Sequence, residues 1–330
     1  MNHRSFLWRG AAATALALAW VSAQPASAQS TNGKADAKGA AYKAPRTAWG
    51  HPDLQSVWNF ATPTPLERPA ALANVEFLSK EQVEAAAVAA ASRDRRAKDK
   101  VADVRQAYNE FWSERGQPTG RTSLLVDPPN GKLPPLTAAG AQRNAALASD
   151  QENGERGANS WEDRSLWERC LTRSGLPRIP GSYNNNMQIF QTRDHVVLHY
   201  EMIHEARIIP LDGRPHVSKD VRQWLGDSRG HWEGDTLVVE TTNFTDKTSF
   251  RGTTRDMKFI ERFTRTGADA IDYRFTVEDP ATFTASWTAT LPMNRLDEQV
   301  YEYACHEGNE GMKNLLAGAR VQEKAAAAKR

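Results

Sequence analysis

Cysteine is scarce in this 330-residue chain, which has two, Cys170 and Cys305. Two thiols without a CxxC pair exclude multi-cysteine zinc clusters and dithiol redox motifs. Long apolar runs are scarce as well. Beyond the first 28 residues none approaches the ~20 residues that span a bilayer, so membrane insertion is not expected. An excess of one charge is also missing: 42 basic residues face 40 acidic ones, for a net charge of +2. That balance gives no general attraction to nucleic acid or to an anionic membrane, and neither is an expected partner. There is no GxxxxGK[ST] phosphate loop and no dinucleotide fingerprint, so no cofactor is expected. His204-Glu205 begins like HExxH, but position 208 is isoleucine, which removes that zinc-protease motif. A metal site would need His204, His216 and His306 from separate strands with a carboxylate. No local spacing supports it, and no metal is expected. A serine hydrolase is not expected either, because sequence order alone joins no serine to a histidine and an aspartate.

What is present starts with an export signal. Residues 1–28 carry Arg4 and Arg9 without an acid, then an apolar run from Ala11 to Ala23, then Ala26-Ser27-Ala28 as a small-residue cleavage site. The run is too short for a transmembrane anchor, and no stop-transfer pattern follows. Cleavage after Ala28 removes both arginines and leaves 40 basic residues against 40 acidic ones. The expected location is the periplasm or the cell exterior. An even cysteine count in such a compartment favours a structural Cys170–Cys305 disulfide, stabilising by up to about 5 kcal/mol for so long a loop. The rival reading makes Cys305 a nucleophilic thiol, without a neighbouring motif to support it.

Residues 29–47 are small, polar and aperiodic, which predicts a disordered leader. A helical and extended arm is expected over 48–185. Ser79-Lys80-Glu81-Gln82 forms a capping box, with Leu78 and Val83 at staple positions, and starts a helix predicted to reach about Trp112. The mixed run RDRRAKDK (93–100) is its solvated face. TSLLVDPPNGKLPPL (122–136) reads as a short strand, a Pro-Asn-Gly turn and an extended continuation. A polar helix is expected near 137–150, and a short one over DRSLWERCL (163–171). Over 186–310 the chain reads strand after strand: MQIFQT, HVVLHYEMIHEARIIP, DTLVVETTNF, MKFIERFTR, AIDYRFTVED, TFTASWTATL and EQVYEYACH. Closely spaced strands of this number predict a mainly β fold, an antiparallel lipocalin-like barrel, with 311–330 as a C-terminal tail. Strands do not alternate with helices here, which argues against a doubly wound nucleotide-binding sheet.

Alternation along HVVLHYEMIHEARII puts Val196, Leu198, Tyr200, Met202 and His204 on one apolar face, so His204 is expected to point inward as a general acid or base. In YEYACHEGN (301–309), Tyr301, Tyr303, Cys305 and Glu307 share one face while Glu302, Ala304 and His306 share the other. Glu302 and His306 are therefore expected to face the pocket, with Cys305 serving architecture. Arg207 or Arg229 would hold an anionic or carbonyl oxygen. The expected ligand-binding residues are Asn185 in YNNN (183–186), His216 after the PLDGRPH turn, Asp227 and Arg229 in the glycine-rich WLGDSRGHWEGDT, and Asn243. Paired acids for glycoside cleavage, such as Glu302 with Glu261, are a further possibility that a carboxylate separation decides. Each residue also has a purely structural use: asparagines close turns, Asp–Arg pairs hold loops, and core histidines bond to backbone. Eight tryptophans lie beyond residue 28, for core filling or for stacking on a ring.

Together YNNNMQI, EMIHEARIIPLDGRPH, WLGDSRGHWEGDTLVVETTNFTDKTSFRG, ERFTR and YEYACHEGN resemble a family of exported bacterial proteins, over roughly residues 49–320. The resemblance implies no reaction, cofactor or catalytic residue. It marks His204, Arg207, His216, Asp227, Arg229, Asn243, His306 and Glu307 as motif positions. The expected function is that of a periplasmic enzyme taking a small polar-aromatic or sugar-like molecule into a barrel pocket. Its chemistry would be general acid–base, of lyase or isomerase type. The alternative is a non-catalytic small-molecule carrier of the same fold.

Overall fold

The computed structural model describes residues 42–92, 114, 116–152, 157–173 and 175–328. The export signal, most of the leader and the continuation of the first helix over 93–112 lie outside the described residues. Tyr42–Arg330 forms one compact unit. Its centre is a single eleven-stranded sheet. The strands are β1 (Ser56–Asn59), β2 (Leu125–Asp127), β3 (Asn186–Gln191), β4 (His195–Tyr200), β5 (Ala206–Pro210), β6 (Asp227–Glu233), β7 (Thr236–Thr242), β8 (Lys258–Gly267), β9 (Ala270–Glu278), β10 (Trp287–Thr290) and β11 (Met293–Leu296). Among the described residues three α-helices accompany them: α1 (Lys80–Ser92), α2 (Ala138–Glu152) and α3 (Glu310–Ala327). At α1 the capping box forms as expected: Gln82 N–H donates to Ser79 Oγ at 3.2 Å, and Ser79 N–H to Gln82 Oε1 at 2.8 Å.

Spatial order along the sheet is β5-β4-β3-β1-β11-β9-β8-β7-β6, with β10 joining β9 to β2. Two strands thus come from the arm: β1 sits between β3 and β11, and β2 pairs with β10. Every ladder is antiparallel. Nine strands on the main path mean that the two edges, β5 and β6, run in the same direction. No ladder joins them, so the sheet does not close into a barrel. The edges nevertheless meet at one end. A Cβ on Gly230 of β6 would stand 2.9 Å from Ile209 Cγ2 and 2.7 Å from Leu211 Cδ2, so the missing side chain is what lets the edges approach.

Alternating burial follows the expected period of two. On β8 Phe259, Glu261, Phe263 and Arg265 point inward, and on β9 Ile271, Tyr273, Phe275 and Val277 do so. Aromatic side chains fill the interior: Trp58, Phe259, Phe263, Phe275, Phe283 and Trp287 are all fully buried. Phe263 stacks on Tyr273 at 4.6 Å, and Trp287 meets Phe275 and Phe283 edge-on.

Four expectations about single elements need correcting. HVVLHYEMIHEARIIP is not one strand. Tyr200 N–H donates to Glu205 O at 2.8 Å, closing a hairpin over a 3₁₀ turn in which Ile203 and His204 have φ of 60° and 44°. The turn resets the phase, so Arg207 and Ile209 are buried while Ala206 and Ile208 are exposed. WLGDSRGHWEGDT is a strand, β6, and its two-residue Gly234-Asp235 turn into β7. EQVYEYACH is not a strand but an irregular segment that turns at Cys305–Asn309. It is held by the expected Cys170–Cys305 disulfide, with Cα atoms 5.7 Å apart. Asn309 then caps α3 through Met312 N–H and reaches back to Glu168 O at 2.8 Å. DRSLWERCL forms turns after a 3₁₀ segment at Trp161–Asp163 in place of a short α-helix.

Candidate functional site

Away from Gly230 the two edges part, and a cleft of about 660 Å³ opens between them. Ala206, Arg207 and Ile208 line it from β5, Asp227 and Ser228 from β6, and Arg222–Gly226 with Thr245 from the intervening loops. Arg207 belongs to the floor. Its Nη1 and Nη2 donate to Glu261 at 3.0 and 2.6 Å, and Nη2 also donates to Ser228 Oγ at 3.0 Å and Thr241 Oγ1 at 2.9 Å. Tyr273 OH donates to the same carboxylate at 2.9 Å. Burial works against the charge on Arg207, but Glu261 outweighs it, and the guanidinium is raised above its ordinary value. It is therefore a permanent cation, 4% exposed, and its Nε is buried without a hydrogen-bond partner. Arg222, also lining the cleft, donates to Arg255 O and Asp256 through its Nη atoms while its Nε likewise lacks a partner. Trp224 forms a half-buried wall.

The cleft's rim carries an ion-paired cluster. Asp227 Oδ2 faces His216 Nδ1 at 2.8 Å and accepts from Val217 N–H at 3.1 Å, while Oδ1 accepts from Arg229 Nη1 at 2.7 Å. His216 Nε2 lies 3.5 Å from Glu240, which also pairs with Lys258 at 2.5 Å. Arg229 Nε donates to Pro215 O at 3.0 Å, and Nη1 also donates to Ser228 O at 2.8 Å. Asn243, with φ of 60°, donates to the carbonyls of Val217, Ser218 and Val221 and so holds the preceding loop.

A second buried polar group lies beneath YNNN. Arg178 is ion-paired with Glu205, which also accepts from Arg173 N–H at 2.9 Å. Burial pushes Arg178 down to about 10, still a cation at neutral pH. Tyr200, over whose ring the Arg178 guanidinium sits at 5.3 Å, has its phenol raised by burial. Arg173, Arg178 and Tyr200 border a cavity of about 30 Å³, room for one water. Asn185 borders it too, with Nδ2 bonded to Glu114 and Gly181 O and Oδ1 accepting from Gly181 N–H. Asn186 donates to Glu201 at 2.8 Å, a carboxyl that burial raises above its usual range.

The expected catalytic histidines do not share a pocket lining. His204 is exposed, its Nδ1 3.0 Å from Tyr303 O, because the 3₁₀ turn removes it from the strand that would have aimed it inward. His306 and Glu302 are exposed because their segment forms no strand. Glu302 is thus no partner for Glu261, which is fully buried on Arg207. Of the expected residues, Arg207 and Asp227 line the cleft, His216 and Arg229 stand behind Asp227, and Asn243 braces the loop. Among the described residues, no three of His, Cys, Asp or Glu are grouped so as to hold a metal ion.

Sequence reading missed Tyr273, Arg222 and Trp224, and named Glu261 only as a partner for Glu302 and not for Arg207. The inward place of Glu261 had a signal, since it occupies the apolar phase between Phe259 and Phe263. It also passed over Gly226-Asp227-Ser228-Arg229-Gly230, which spells GxSxG. The context is wrong for a nucleophile elbow: the serine lies within a strand that turns into another strand, and its hydroxyl is bonded to Arg207 and Thr241. No known family, curated protein or solved structure matches the chain.

Proposed function

We propose that the protein binds a small polar-aromatic molecule in the cleft between β5 and β6 and holds an anionic or carbonyl oxygen of it at Arg207. The supporting observation is the unpartnered, buried Nε of Arg207 in the lining of a cleft of about 660 Å³. That volume suits a small ligand, for which sites run at ~300–1,000 Å³. A buried donor left unpaired is unfavourable by about 1–3 kcal/mol, which a ligand oxygen would recover once the lining opens to admit it, since Nε is closed to solvent in this structure. Arg222 supplies a second donor and Trp224 an aromatic face. The packed aromatic interior favours a ligand at the seam over one inside a lipocalin-like barrel. The likeness to such barrels is then one of curled antiparallel sheet alone. The disulfide is compatible with a periplasmic or extracellular carrier.

A second reading is general acid–base catalysis of lyase or isomerase type. The Asp227–His216 pair beside the cleft favours it, because a carboxylate at Nδ1 orients an imidazole for proton transfer. In this reading His216 takes the role expected of His204. Benzoate is a suitable probe for the binding reading. Calorimetric titration should show saturable binding, weakened about tenfold by Trp224→Ala, in line with a stacking contribution of roughly 1.4 kcal/mol. Binding that is indifferent to Trp224, or none at all, would refute the reading.

A further inference from the structure

We propose that the outer face of β3, β4 and β5 is the contact surface of a symmetric pair formed by two copies of this chain. The proposal goes beyond the cleft and does not depend on its ligand. Register supplies the first observation. Phe190 stands opposite Val197, and Val197 opposite Ile208, so three apolar side chains form one row across the three strands. Their neighbours along the chain, Ile189, Val196, Leu198 and Ile209, are buried, so the row faces outward. Phe190 is 45% exposed and Ile208 65%. The adjoining row, Gln188, His199 and Ala206, likewise holds no acid, lysine or arginine. On β6 to β9 the outer face is different, being laced with ion pairs: Arg262 with Glu233 at 2.7 Å, Lys258 with Glu240 at 2.5 Å and Arg274 with Asp272 at 2.9 Å. One part of the sheet is thus dressed for water. The other is depleted of charge and carries an exposed aromatic ring, the composition of an interface core.

Charge decides the occupant. A partner that set an acid or a base on this row would bury it without a counter-ion, which is strongly unfavourable. The matching surface must be charge-free as well, and a second copy of the chain offers one. Symmetry completes the match. A twofold axis through the half-buried Val197 lays Phe190 of each copy against Ile208 of the other, giving two identical aromatic–aliphatic contacts, the reciprocity that a symmetric pair requires. The face is small beside the ~20–30 residues a side of a stable interface, so the pair is weak and depends on concentration. Ile208 also lines the cleft, so pairing sets the mouths of two clefts beside one interface.

Sedimentation velocity of the mature protein and of the variants Phe190→Lys and Ile208→Glu tests this. Both positions are exposed, so each variant should melt close to the parent, which checks that it still folds. The parent should sediment as monomer and dimer in exchange, with the dimer gaining as concentration rises. Either variant alone should pair roughly tenfold more weakly or worse, because it sets a charge against an apolar side chain of the other copy. An equimolar mixture of the two should pair again. In a mixed pair the new lysine of one copy meets the new glutamate of the other, and the second contact stays Phe190 against Ile208. A parent that remains monomeric at every concentration would overturn the proposal and leave the face to a different partner. Pairing indifferent to both substitutions, or variants that stay unpaired when mixed, would overturn it too.

Discussion

At the scale of single residues, the Arg207–Glu261 pair couples stability to the cleft. Both side chains are almost fully buried, so each charge depends on the other. Glu261→Ala should destabilise by about 3–5 kcal/mol in urea unfolding, because it strands a buried cation and frees Tyr273 OH. Replacing both partners with well-packed apolar residues should recover most of the loss. Stability of the double variant no better than that of Glu261→Ala would contradict this. Glu201 behaves differently. Its carboxyl is raised by burial, so its charge is better tolerated in the unfolded chain. Its contribution to stability is fully present below its ordinary value of 4.5 and is lost as pH rises through the raised one. Glu201→Gln, which keeps an acceptor for Asn186, should therefore melt higher than the parent at pH 7.5. That advantage should vanish near pH 4. Thermal melts at both pH values check the sign.

At the scale of elements, the seam depends on the absence of a side chain at Gly230. Gly230→Val would press on Ile209 and Leu211, whose side-chain ends can give only a little. The expected loss is about 1–3 kcal/mol with the edges pushed apart, and Gly230→Ala should fall between. An unchanged urea midpoint for Gly230→Val would show that the edges do not touch in solution. Much of this architecture was legible. The β3, β4, β8 and β9 runs alternate because one face meets an aromatic core. The capping box of α1 is a local bond pair that sequence can spell. The strand β6 was not legible, because its glycines and charges resemble a loop. Gly230 is there for edge contact, while Asp227 and Arg229 neutralise each other. His204 was misplaced because nothing local reveals that Ile203 and His204 adopt left-handed backbone. That conformation is fixed by the hairpin between Tyr200 and Glu205. Arg207 was singled out and does line the cleft, but its partner, fifty-four positions away, is visible only once the strands pair.

At the scale of the whole molecule, the disulfide and the seam are separate devices. Cys170–Cys305 spans 135 positions and ties the segment before YNNN to the start of α3. Neither cysteine lines the cleft. Cys305→Ser should lower the melting temperature, with a stability loss of at most about 5 kcal/mol, while leaving ligand affinity unaltered. Thiol labelling of the unreduced, denatured protein should find no free cysteine. The central claim is that the molecule's working surface is the open seam between its two sheet edges and not the packed interior. The most direct measurement is a benzoate titration of the isotopically labelled protein, followed at the Arg207 Nε–Hε resonance and the amides of Ala206, Ile208, Gly226 and Ser228. The account expects these signals to shift together and saturate along one binding curve. Shifts confined to His204, His306 and the YNNN turn, with Arg207 unmoved, would contradict it.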